Sequence, residues 1–140
     1  MSKERPAARL SFVVVKRKYM NNILWVSQAF LAVTFLYSGI NKSILSEKQL
    51  IARGQTGVVG RSAATIRFIG IAEILGSIGL ILPWWTKVLP LLTPVAAFCF
   101  AVIMILAAPI HYRLKEMKNV AVNLTLLAIS LFVAWGRMDG

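Results

Sequence analysis

The 140-residue chain has one cysteine, Cys99, and one histidine, His111. A single thiol cannot close an intrachain disulfide or form a CxxC pair, which argues against a thiol-exchange membrane oxidoreductase and leaves Cys99 as a buried packing residue by expectation. The lone cysteine and histidine are not set at ligand spacing, so no zinc or haem centre is expected. There is no glycine-rich phosphate loop and no nucleophile elbow. Acids are also scarce, with five Asp and Glu against 16 Lys and Arg, a net charge of +11. Such a balance attracts phosphate polymers in general. Here the cations fall before and between apolar runs, where they anchor to anionic headgroups. Nucleic acid is therefore not expected as a partner.

What the sequence does have is length of apolar run. Hydrophobic residues make up 58% of the chain and charged ones only 15%, too apolar for an ordinary soluble domain and suited to a lipid bilayer. Four helices are expected, at about 23–40, 63–83, 88–108 and 119–135. The first has about 18 residues, which at 1.5 Å per residue reach roughly 27 Å. Asn22 is a suitable N-cap for it, and Gly39 with Asn41 marks its exit. Trp84 and Trp85 follow the second helix at headgroup level. Pro90 falls in the first turn of the third, and Pro94 is placed to kink it. Short connections at 84–87 and 110–118 make the last three helices antiparallel neighbours.

The expected fold is thus an all-α, four-helix transmembrane bundle, antiparallel and up-down, over residues 23–136. Residues 1–22 read as a basic leader, surface-lying or loosely ordered, with Met20 as an alternative translation start, and residues 137–140 as a tail. No cleavable secretion signal is expected. Within the long connection 43–65, the segment Ile44–Arg53 mixes apolar and charged residues as a short interfacial helix would. Basic residues divide equally between the two membrane faces. The first helix then decides orientation, which puts both termini in the cytoplasm.

This topology gathers unusual polar groups on one face. Asn41 and Lys42 leave the first helix there, His111 follows the third, and Asn119 with Asn123 opens the fourth. Glu73 lies about 9 Å along the second helix from Arg67. A carboxylate at that depth must face the bundle interior and find a partner. Arg67 is a poor one, since six residues turn a helix by about 600° and leave the two side chains on nearly opposite faces. Lys42, Glu73 and His111, with Asn41, Asn123 and Ser77, are therefore expected to line one polar pocket. Gln28 belongs to the opposite end, in an interhelical hydrogen bond. Gly70, Ala72, Gly76 and Gly79 let other backbones approach the second helix closely, either within the bundle or in a dimer.

Four segments resemble the DoxX-like family of small four-helix membrane proteins: GxxK at Gly39–Lys42, GIAEILGSIGLILP at Gly70–Pro83, TPVAA at Thr93–Ala97 and MILAAPIH at Met104–His111. The second is the specific one. The resemblance implies a fold and a pocket that includes Lys42, Glu73 and His111, rather than a reaction. It takes its name from a protein associated with thiosulfate:quinone oxidoreductase, and an animal relative resembles an assembly chaperone for membrane receptors. Three roles are expected from it. The first is an accessory component of a bacterial-type inner membrane that binds a small lipophilic molecule such as a quinone. The second is an assembly factor that docks a partner's transmembrane helix. The third is a subunit of a quinone-linked oxidoreductase, which would need an electron carrier from another chain. The chain is not expected to be an enzyme by itself.

Overall fold

The computed structural model describes residues 6–139, and every regular element among them is helical. The first helix, α1, runs Pro6–Ile44, 39 residues. Proline is well suited to a first helical position, and no glycine or proline follows until Gly39. The helix of the span therefore extends back through most of the segment read as a leader, whose residues 1–5 lie outside the described ones. Residues 6–23 are exposed along this extension.

Gly39 does not end α1. It lies inside the helix, where a Cβ would come within 2.7 Å of the Gly70 carbonyl oxygen. Its role is to let two backbones touch. Past α1, Ser46 opens α2 (Glu47–Ala52) with a reciprocal capping box to Gln49. A single 3₁₀ turn, Thr56–Val58, follows.

Helix α3 spans Ala63–Thr86, with Ser62 capping the Thr65 amide. It continues a turn beyond Pro83 and stops where Lys87 turns left-handed, at φ 62°. Pro83 has no N–H to give the Gly79 carbonyl four residues back. That carbonyl accepts instead from Thr93 Oγ1 of the next helix at 3.1 Å, so the proline costs little. Helix α4 spans Leu92–Arg113, starting later than expected because Leu89 is left-handed at φ 50°. Pro90 consequently precedes the helix, and Pro94 takes its first turn. Pro109 does not end α4, which runs on through His111. Helix α5 spans Met117–Met138 and includes both Gly136 and Arg137, so Arg137 is a helix residue and not part of a tail.

These four long helices are each apolar enough to cross a bilayer. The protein is a transmembrane four-helix bundle. The part of α1 from Leu24 onward packs on α3, α4 packs on α5, and α3 joins the two pairs against α4. Leu31, Phe35, Leu80, Ala97, Phe100 and Val133 form the core. The Phe35 and Phe100 rings stack at 3.8 Å, and Phe100 seats on Gly76, where a Cβ would fall 2.6 Å from the ring. Outside, α3 exposes Phe68, Ile71, Leu75, Ile78 and Leu82, while Gln28, Glu73, Thr93 and Ser130 are fully buried. An apolar exterior around a polar interior is what lipid selects.

Candidate functional site

The site begins with the crossing of α1 and α3. Gly39 and Gly70 bring the helices together closely enough for Lys42 to reach over the contact; a Cβ on Gly70 would meet the Gly39 carbonyl and Lys42 Cβ, each at 2.9 Å. Lys42 Nζ then donates to Glu73 Oε1 at 2.7 Å and to Ser38 Oγ at 2.9 Å. The Glu73 side chain is only 1% exposed and that of Lys42 14%, so the pair is an intramembrane ion pair with the lysine stem snorkelling inward. Arg67, on another face of α3, donates to the Lys42 carbonyl at 3.0 Å. The second carboxylate oxygen, Glu73 Oε2, is buried and has no hydrogen-bond partner. A stranded acceptor of that kind, in apolar surroundings, is costly.

Beside it lies a half-open cavity of about 260 Å³. Phe35 and Ser38 of α1, Glu73 of α3, Ile103, Met104 and Ala107 of α4, and Val122 and Leu126 of α5 form its walls. Its position follows from packing. Helices α1 and α5 meet at the other end of the bundle, where Gly136 leaves room only for Leu24, and the cavity separates them at this one. Asn123 is tied to the α4 backbone, donating to the Met104 carbonyl at 2.6 Å, and also lines the cavity.

The long connection closes the end of this space. Gly54, Gln55, Gly57, Val58 and Arg61 all line it, and Leu50, Val58 and Ile66 form a small core beneath the connection. A polar latch fastens it to α4 and α5. Glu116 Oε2 accepts from Thr56 Oγ1 and, at 2.9 Å, from Asn119 Nδ2. The same oxygen lies 3.0 Å from His111 Nδ1, so that nitrogen must carry a proton. Hydrogen bonds from Thr56 first, then His111 and Asn119, hold the Glu116 carboxyl down at about 2. Gly57 passes against the far side of the ring, where its Cβ would be 3.4 Å from His111 Nε2.

Lys42, Glu73, His111 and Asn123 therefore border one cavity, with His111 bonded to Glu116 rather than to Glu73. Asn41 and Ser77 do not border it. Asn41 is buried and accepts from Arg53 at 3.3 Å, and Ser77 donates to the Glu73 carbonyl at 2.8 Å. Asn41 is thus held by a side chain from beyond α2, and Ser77 by the backbone of its own helix. Gly70, Gly76 and Gly79 face inward against α1, Phe100 and Ala96. Sequence reasoning missed Ser38, Thr56, Arg61 and Glu116. Glu116 had a usable signal: in a chain with five acids, one five residues past the only histidine is a natural partner for it. Thr56 had none, because only the folded connection brings it there.

Compared with known families, the chain matches the profile described as the DoxX-like family over residues 26–133. No curated protein and no solved structure matches it.

Proposed function

Since the chain belongs to the DoxX-like family, we propose that it is a membrane-embedded binding protein whose cavity takes a small, mostly apolar molecule bearing a hydroxyl or amine. The observation that carries this reading is Glu73 Oε2, an unpartnered acceptor buried at the cavity wall. A ligand donor there would satisfy it. The volume, about 260 Å³, lies between a benzene-sized cavity of roughly 150 Å³ and the lower end of ordinary ligand pockets near 300 Å³. It suits one substituted ring. A quinol meets the requirement with its hydroxyl, whereas an oxidised quinone offers only acceptors and must turn to the Lys42 ammonium. The latched connection gives the site a cover on the side of Thr56 and Arg61.

The alternative role is an assembly factor that docks a partner's helix; Gly70, Gly76 and Gly79 of α3 pack against α1 and α4, so such docking would use the exposed apolar face of α3 instead. For the cellular setting we adopt a bacterial-type inner membrane with both termini cytoplasmic. A C-terminal reporter active only outside the cytoplasm would reverse that orientation.

The test is purification from native membranes followed by solvent extraction and mass spectrometry of wild type, Glu73→Gln and Ala107→Trp. Ala107 lines the cavity from α4, so a tryptophan there takes up its volume while leaving both members of the ion pair in the chain. One hydroxyl- or amine-bearing species should be enriched with wild type, reduced in Glu73→Gln and absent from Ala107→Trp. Equal recovery from wild type and Ala107→Trp would discard the cavity as a binding site.

A further inference from the structure

At the opposite end of the bundle, Arg137 is 4% exposed and has no carboxylate ion-paired with it among the described residues. Its Nε donates to Gln28 Oε1 at 2.7 Å, and Gln28 in turn donates through Nε2 to the Leu80 carbonyl of α3. Its Nη1 donates to Asn21 Oδ1 at 2.7 Å. Its Nη2 is buried with no partner. The guanidinium lies 4.3 Å from the Trp84 ring centroid and 5.4 Å from that of Trp25. Lys87 Nζ lies 4.7 Å from the same Trp84 ring, so two cations share one indole.

Helices α1, α3 and α5 thus hold a positive charge in place with no anion of their own to answer it. Gln28 fixes the Nε side. The Nη1 and Nη2 edge is the part left for recognition, since Nη1 is held only by Asn21, an exposed amide, and Nη2 by nothing. Two parallel N–H groups on one guanidinium edge match two oxygens of a phosphate. The height also matters. Trp25, Trp84, exposed Trp85 and exposed Lys87 stand at this end of the spans, the level at which indoles and basic side chains meet headgroups.

We propose that Arg137, backed by Lys87, is a binding site for the phosphate of one anionic phospholipid, which displaces Asn21 and takes both Nη groups. Trp25, which is half-buried, forms the side of the site facing the headgroup layer. The site is independent of the Glu73 cavity.

Native mass spectrometry of the detergent-solubilised full chain tests this. Short-chain phosphatidylglycerol, phosphatidylcholine of the same chain length and inorganic phosphate are titrated against wild type, Arg137→Gln and Lys87→Gln. Wild type should retain one phosphatidylglycerol about tenfold more tightly than phosphatidylcholine, with the preference lost in Arg137→Gln and reduced about fivefold in Lys87→Gln. Lys87 is exposed, so its variant folds even if Arg137→Gln does not. Equal retention of the two lipids by wild type overturns the proposal, as does phosphatidylglycerol retention unchanged in either variant. Displacement by inorganic phosphate at equal concentration shows a free-anion site and overturns the lipid assignment.

Discussion

Replacing Lys42 with methionine keeps most of the side-chain volume and removes the cation bonded to Glu73. The carboxylate, 1% exposed, is then left in a medium that solvates it poorly. Breaking a buried pair from one side costs about 3–5 kcal/mol. A ceiling follows from the stranded acid's escape by taking up a proton, which at pH 7 costs an ordinary glutamate about 3.7 kcal/mol at 1.36 kcal/mol per pH unit. The expected loss for Lys42→Met at pH 7 is therefore about 3–4 kcal/mol. It should shrink by about 1.4 kcal/mol for each unit the pH is lowered toward 5, because the escape becomes easier. Replacing both partners, Lys42→Met with Glu73→Leu, should recover most of the loss, since an apolar pair of similar volume needs no solvation. Equilibrium unfolding in mixed micelles at pH 7 and pH 5 measures all three chains. A loss below about 1 kcal/mol at pH 7, or one that does not change with pH, would refute the account of Glu73 as a charge dependent on Lys42.

Gly70→Ala should destabilise by about 1–3 kcal/mol despite alanine's better helix propensity, because the new Cβ meets the α1 backbone oxygen of Gly39 at 2.9 Å. Gly57→Ala, whose Cβ would meet the His111 ring at 3.4 Å from Nε2 and 3.7 Å from Cε1, should stay within about 0.5 kcal/mol in the same unfolding assay. Glu116→Gln should loosen the latch and alter acid sensitivity. The folded carboxyl sits at about 2, below the ordinary glutamate value of 4.5, so its stabilisation is complete above the unfolded value and is lost as pH falls through that window. The thermal midpoint of wild type should drop more steeply than that of the variant between pH 5 and pH 2, and parallel curves would remove Glu116 from the latch.

Which parts of the molecule were legible in advance follows from how local the signals are. The long apolar runs needed only counting, since a span is a length of chain without charges. Glu73 could be placed inward because facing lipid has a cost whatever the neighbours are, and Lys42 could be matched to it because both fall on the face that alternating spans bring together. Helix ends were read less well. Pro83 and Pro109 looked like stops, yet Thr93 from another helix supplies the hydrogen bond that Pro83 cannot. Gly39 looked like an exit, and its use in the α1 and α3 contact depends on Gly70, 31 positions away in the chain.

The amino-acid sequence by itself determined that this is a bundle of four spans with an acid held inside it, because hydropathy and the cost of burying charge act on each segment alone. Tertiary structure decided the rest: that Thr56 comes to Glu116, that Arg53 reaches back to Asn41, and that Arg137 lies buried against two indoles. Those outcomes depend on which groups meet across separate helices. Contacts between distant segments leave no trace in any one stretch of sequence.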